Sequence, residues 1–265
     1  MPELPEAEAM RATIAPKVLR QNIVGVWLSK PDRRTVSPSV RNAWIRKRIL
    51  DVERHGKVIS LLLQKHIRIT ITLGMSGRLV VRTNRKRHDR LALELNSGMS
   101  LIFNDFRRFG RVTCSIEEER SPQAILGPDA LTASFSPHTL NLKSSRTIKA
   151  ALIDQRIVAG LGNIYVCESL FRAGINPRRP VNSLTANERS RLVRAIKSIL
   201  SAAVARGGST LDDYRDTEGQ AGDYDRSFAV YGRTGQPCPA CTCSTGVIRA
   251  IDGGRSTFYC SVRQK

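Results

Sequence analysis

Four cysteines stand close together near the end of the chain, Cys238, Cys241, Cys243 and Cys260, while Cys114 and Cys167 stand alone. In a reducing compartment such crowding points to metal more than to disulfides. Structural zinc takes four thiolate or imidazole ligands in a tetrahedron. The usual double knuckle is CxxC, a spacer and a second CxxC, but here Ser261, Val262 and Arg263 follow Cys260, so the second pair is missing. Cys243 is then available as the fourth ligand for one Zn(2+) per chain. Buried or redox-active thiols in a metal-free finger held by packing are the alternative. Cys114 and Cys167 read as small buried apolar residues. The run GVIRAIDGGRSTFY reads as a hairpin turning at or near Gly253–Gly254, which places Arg255 at or beside its tip, where a base meets a phosphate or enters a groove.

In QRIVAGLGNIYVCESLF, Gly160 and Gly162 allow close backbone approach, and Asn163 suits an N-cap for the helix that follows. Exposed amides at a helix start bind anions, but an ordinary glycine-rich turn between helices has the same spacing. LGMSGRL (73–79) and NDFRRFG (104–110) set Met75, Arg107 and Phe109 between turn-forming residues. An apolar wedge with an arginine is what a base-extruding enzyme inserts into the stack, although Met and Phe are more often core. The chain begins MPELPEAEAM. Pro5, Glu6 and Glu8 suit the first turn of a helix, whereas Pro2 does not need that explanation and becomes chain residue one if Met1 is removed.

These residues sit in a chain of 265 residues with 43 Lys and Arg against 23 Asp and Glu, a net charge of +20 and a pI near 10.6. That excess favours a polyanionic partner, nucleic acid first. No apolar run is long enough to span a bilayer, and the N-terminus lacks the order of a secretory signal, so a soluble protein of the cytoplasm, with no membrane partner, is expected. A helix over 5–19, made imperfect by Pro16, is followed by strand-like texture from Ile23 to Cys114. IRITITL alternates at period two, and RLALEL and MSLIF flank a turn at NSG, which predicts an antiparallel sandwich or barrel. RTNRKRHDR (82–90) falls on a loop between strands and is either simply solvated or a DNA contact. Near residue 130 the pattern turns helical, in RTIKAALIDQRI, NIYVCESLFRAGI and LTANERSRLVRAIKSILSAAVARGG. Residues 212–226 are polar and predict a mobile loop. The expected class is α+β and multidomain: a β domain over 1–130, a helical domain over 131–227 and a small finger over 228–265.

PELPEAE, Lys57 in RHGKVISL, LGMSGRL, NDFRRFG, DQRIVAGLGNIYVCESLFRAGINP, VYGRTGQPC and GGRSTFYC occur in that order, and together they resemble the formamidopyrimidine-DNA glycosylase / endonuclease VIII family over nearly the whole chain. The resemblance is to the formamidopyrimidine branch. It implies an N-terminal helix with an antiparallel β-sandwich, a helix–two-turns–helix DNA-binding domain, a C-terminal zinc-finger-like hairpin, and a monomer acting on damaged double-stranded DNA in base excision repair. It implies a bifunctional glycosylase and abasic-site lyase for oxidised purines, with Pro2 as nucleophile, Glu3 as general acid/base, Glu6 as a second carboxylate and Lys57 on a phosphate beside the lesion. Met75, Arg107 and Phe109 would fill the void left by the flipped base, and Asn163 and Arg255 would grip phosphates. The loop at 212–226 would close over the everted purine. The chain departs from the family pattern at three places. Thr72 and Leu73 precede Gly74 where a histidine is common. Arg263 replaces the last finger cysteine, while Cys243 leaves a gap of sixteen residues to Cys260. The loop at 212–226 carries Asp212, Asp213, Asp216, Glu218, Asp223 and Asp225, which leaves oxidised pyrimidines as an alternative substrate class. A paralogue that binds damage without cutting is a further alternative, against which Pro2, Glu3 and Lys57 all stand.

Overall fold

Alternating apolar residues become strands. In the computed structural model, which describes residues 2–29, 36, 38–116, 125–209 and 222–265, IRITIT is a strand whose odd positions Ile67, Ile69 and Ile71 all face the interior. The described residues fall into two units, Met1–Ala124 with Gly207–Gly222 and Ile125–Arg206 with Asp223–Lys265.

The first unit starts with α1 (Leu4–Val18), then β1 (Ile23–Leu28), the short α2 (Pro38–Asn42), β2 (Ile49–His55), β3 (Val58–Leu63), β4 (Ile67–Thr72), β5 (Arg78–Arg82), β6 (Asp89–Leu95), β7 (Ser100–Asn104) and β8 (Arg111–Ile116). Two antiparallel sheets result, ordered β1-β6-β7-β5 and β2-β3-β4-β8. Leu91, Leu93 and Leu95 of the first sheet and Ile67, Ile69 and Ile71 of the second share one core with Trp44. Ala7, Met10, Ile14 and Val18, spaced three or four apart, add one face of α1 to that core. Pro16 is tolerated within α1, near its end. Arg54 and Arg11 clamp Glu8 at 2.9 and 2.6 Å and so tie α1 to β2. Burial of Glu8 disfavours its charge, but the two guanidiniums outweigh that and hold its carboxyl below the usual range.

The second unit contains α3 (Ile148–Ile153), α4 (Asn163–Ala173), α5 (Ala186–Ala205) and a hairpin of β9 (Ile248–Asp252) and β10 (Arg255–Tyr259). The helical run expected over RTIKAALIDQRI is cut to six residues. Asp154 Oδ1 accepts from the Arg156 amide at 3.0 Å, a local turn that competes with the helix. Thr185 and Glu188 form a capping box at the start of α5, and Arg179 holds the Glu188 carboxyl down to about 2. Gly174 closes α4 in the left-handed region at φ 67°. Gly253 and Gly254, at φ 57° and 73°, form the two-residue turn between β9 and β10. The core under the hairpin joins Cys167 and Phe171 of α4 to Val230, Val247 and Phe258. Most of the loop expected at 212–226 falls in residues 210–221, which lie outside the described residues. Among the described residues no helix is long and apolar enough to cross a membrane.

Candidate active site and metal centre

In the first unit, Pro2 is buried and runs directly into Glu3, the N-cap of α1, whose backbone is extended at φ −105° and ψ −166°. Glu3 donates its N–H to Glu6 Oε2 at 2.8 Å, completing a reciprocal capping box. The other oxygen of Glu6 accepts from the N–H and Oγ of Ser209 at 2.8 and 3.1 Å. Both glutamates are 2 % exposed. A Cβ on Gly208 would come within 2.7 Å of Glu6 Oε1, so the backbone of 207–209 approaches this carboxylate as only glycine permits, at φ 85°. Glu6 therefore orders the turn that carries Pro2 and Glu3 and ties it to a segment two hundred residues away in sequence. Ser209 is not legible as a partner in the sequence, because nothing in its neighbourhood marks it. Lys57 is half-buried in the two-residue connection between β2 and β3.

Met75 and Phe109 are 41 % and 48 % exposed, on two turns that interlock. A Cβ on Gly74 would lie 2.6 Å from the Gly110 nitrogen, so the two backbones touch. Arg107 stacks over the Phe109 ring at 4.9 Å. The hub is Asp105, fully buried. It accepts from Ser76 Oγ and from the Gly110 amide (2.7 Å), faces Arg90 at 3.8 Å, and Ser76 Oγ in turn accepts from the Arg107 amide at 3.1 Å. Asp105 lies inside the NDFRRFG motif, yet its role depends on Ser76 and Arg90 and is not legible there. Replacing it with asparagine turns one of its two acceptor oxygens into a donor, so Ser76 and the Gly110 amide cannot both be accepted, and removes the charge facing Arg90. Asp105→Asn is expected to lower stability by about 2 kcal/mol, read by urea unfolding. An unchanged midpoint would mean the hub bears no load.

In the second unit, Gly162 rather than Asn163 is the N-cap of α4, and no side chain caps that start. Asn163 is the first helical residue, and its amide nitrogen donates to the Ser256 carbonyl at 2.9 Å, while Oδ1 is buried without a hydrogen-bond partner. Long-range pairing has overridden local capping. Lys149 of α3 reaches the same Ser256 carbonyl at 3.0 Å and Thr257 Oγ1 at 2.6 Å. Burial pulls the Lys149 ammonium below the usual lysine range. Two helices thus pin β10 beside Arg255. Asp252 pairs with Arg255 in the hairpin register but bonds Arg178 at 3.0 Å, and Arg255 is exposed. A cleft of about 470 Å³ has Lys149, Asp252 and Arg255 among its walls. Glu168 of α4 accepts the amides of Ala229, Val230 and Tyr231 at 2.8, 2.9 and 2.8 Å, fixing the segment that leads to the cysteines, and burial pushes its carboxyl up.

The sulfurs of Cys238, Cys241, Cys243 and Cys260 all lie within 4.8 Å of one another. Cys260 Sγ stands 3.6 Å from Cys241 and 3.5 Å from Cys243. Four thiolates at 2.3 Å from a central zinc would be about 3.8 Å apart, so the donor set and its size both suit a tetrahedral metal. Arg263 stands apart from this set and stacks over Phe171 at 5.6 Å. Cys167 is buried as expected, and Cys114, half-buried, faces the Trp44 indole N–H at 3.3 Å.

Two family models match the sequence, the formamidopyrimidine-DNA glycosylase N-terminal domain over residues 1–112 and the H2TH domain of the same glycosylase over 126–215. A formamidopyrimidine-DNA glycosylase of Acidiphilium cryptum is 40 % identical over 275 positions, with all of both chains covered. The crystal structure of the MutM (Fpg) protein from Thermus thermophilus superposes with a TM-score of 0.89 at 40 % identity, over 99 % of this chain and 98 % of that one. Lactococcus lactis Fpg in complex with DNA containing N7-benzyl-Fapy-dG superposes with a TM-score of 0.90 at 29 % identity, over the full length of both.

Proposed function

Because the chain belongs to the formamidopyrimidine-DNA glycosylase family, we propose that it is a bifunctional DNA glycosylase and abasic-site lyase of base excision repair. It removes oxidised purines, 8-oxoguanine and formamidopyrimidines among them, from duplex DNA. The observation that carries this reading is the start of α1, where Pro2 directly precedes a buried Glu3 whose backbone is locked by Glu6 and, through it, by Ser209.

With Met1 removed, Pro2 presents a secondary amine. An α-amino group titrates near 7.7–8.0 in model compounds, about two units or more below lysine, so a useful fraction is free base at neutral pH. Its nitrogen forms a bond to the sugar C1′ as the bond from C1′ to the base breaks. Glu3 moves the protons at the sugar ring. Ring opening leaves a cationic iminium between Pro2 and C1′. Loss of a C2′ proton sends its electrons into that cation and expels the 3′ phosphate, and a second elimination expels the 5′ phosphate. Water then returns Pro2 to its amine.

Met75, Arg107 and Phe109 fill the space vacated by the extruded nucleotide, and the cation–π contact keeps the arginine and the aromatic ring as one wedge. Lys57, Arg255 and Asn163 hold phosphates. The Asn163 amide nitrogen carries a second proton beyond the one given to Ser256. Cys238, Cys241, Cys243 and Cys260 would hold a structural zinc, which ties the hairpin base together and takes no part in bond breaking.

Borohydride reduction during turnover tests this reading. A covalent protein–DNA adduct is expected on duplexes carrying 8-oxoguanine or an abasic site, and a weaker one on an oxidised pyrimidine. Absence of an adduct on every duplex would leave a protein that binds damage without cutting.

A further inference from the structure

We infer that Phe106 is a stacking site for an unpaired nucleobase, set beside the Met75, Arg107 and Phe109 wedge and separate from it. The inference rests on the reading of this protein as one that binds damaged DNA.

Phe106 is 63 % exposed, more than Phe109 or Met75. A single exposed phenylalanine is ordinary. The mounting of this one is not. Phe106 and Arg107 are the two central residues of the turn from Asp105 to Arg108, closed by the Arg108 amide on the Asp105 carbonyl at 3.4 Å. The foot of that turn is the buried Asp105 hub, and the Asp105 amide is bonded to the His88 carbonyl at 3.0 Å. The same bond brings the His88 ring to Phe106, edge to face at 6.3 Å and 69°. A rigid pedestal therefore lifts an aromatic ring into solvent, with one side steadied by His88 and most of its surface open.

The charge around it fits a nucleic acid. His88 ends the run Arg85-Lys86-Arg87-His88, whose first guanidinium stacks on Trp27 at 4.4 Å. An open aromatic beside a cluster of cations is how proteins take up unstacked bases: the cations attract the backbone and the ring takes the base face. The wedge gives such a base its origin, since inserting side chains into a stack leaves bases without partners.

The test compares variants for binding to a duplex carrying a tetrahydrofuran abasic site. Phe106→Ala is expected to raise Kd by about 5- to 150-fold, the range of one base–aromatic stack. Phe106→Tyr and Phe106→Trp should stay within about twofold of the parent, and Phe106→Leu should side with alanine, because it keeps the apolar area and loses the π face. The loss should be the same at low and high salt, since no phosphate contact has been removed. All variants should melt with the parent, as the ring is exposed. If Phe106→Ala binds like the parent, or Phe106→Leu does, the stacking site is wrong. A lowered melting temperature would assign Phe106 to packing and overturn it too. If the parent itself neither binds nor traps on damaged duplexes, the proposed function falls first, which keeps the two failures apart.

Discussion

Pro2→Gly is expected to cut borohydride-trapped adduct and strand cleavage on an 8-oxoguanine duplex by on the order of 10³-fold or more, the scale felt when a covalent nucleophile is lost. Glycine also leaves a terminal amine after methionine removal, so the substitution removes neither the charge nor the position in sequence. What it removes is the ring. The pyrrolidine ring ties the nitrogen back to the side chain, which stops rotation about its bond to Cα, and makes the amine secondary, so the adduct with C1′ must be a charged iminium, ready to draw electrons from C2′. A primary amine can lose a proton from its adduct and become a neutral, poorer electron sink. Glycine is also the freest residue in the chain, and Glu3 alone would then have to orient the end. The check is single-turnover trapping, with mass spectrometry of the purified variant to show that Met1 has gone. A glycine variant that traps as fast as the parent would remove Pro2 from the mechanism. So would a fully active parent that keeps its initiator methionine.

Glu6 shows where sequence reading of this site reaches its limit. As a carboxylate in the first turn of a helix it is legible from spacing alone. Its second oxygen accepts from Ser209, and no periodicity links positions 6 and 209. Likewise the strands were legible because period two survives in IRITIT and RLALEL, and the hairpin because two glycines sit between its strands at Gly253–Gly254. Local rules decide such elements. They fail at Asn163, which has the chemistry of a cap but gives its amide to Ser256, 93 positions on. They fail at Asp105 too, whose partners come from elsewhere in the sequence, Ser76 from the turn between β4 and β5 and Arg90 from β6. The candidate metal ligands announced themselves by type, and the candidate catalytic residues by the family resemblance. Those that hold them in place did not, because their meaning is a distance in space.

The cysteines test that distinction most sharply, since the spacing rule for a double knuckle fails while the geometry succeeds. Cys243→Ser is expected to lower zinc affinity by about 100-fold or more. Structural zinc in small fingers is worth about 10–16 kcal/mol across its four ligands, roughly 3 kcal/mol for each thiolate. The parent should hold one zinc per chain by elemental analysis, and the serine variant should lose it to a mild chelator. The hairpin does not rest on metal alone, because Cys238 and Cys260 belong to a core with Phe171, Val230 and Phe258. The expected defect is therefore partial: weaker binding to duplex through a displaced Arg255, with the first unit still folded. A second substitution locates the cause. Arg263 occupies the position two residues beyond Ser261 where a second CxxC would end, and its side chain now stacks on Phe171. Cys243→Ser combined with Arg263→Cys should regain zinc, because Cys260 and residue 263 would then form the missing pair on the turn that the Gln264 amide closes on the Cys260 carbonyl at 3.0 Å. Full zinc in the single Cys243→Ser variant would show that three thiolates suffice, and no zinc in the parent would leave packing as what holds the hairpin.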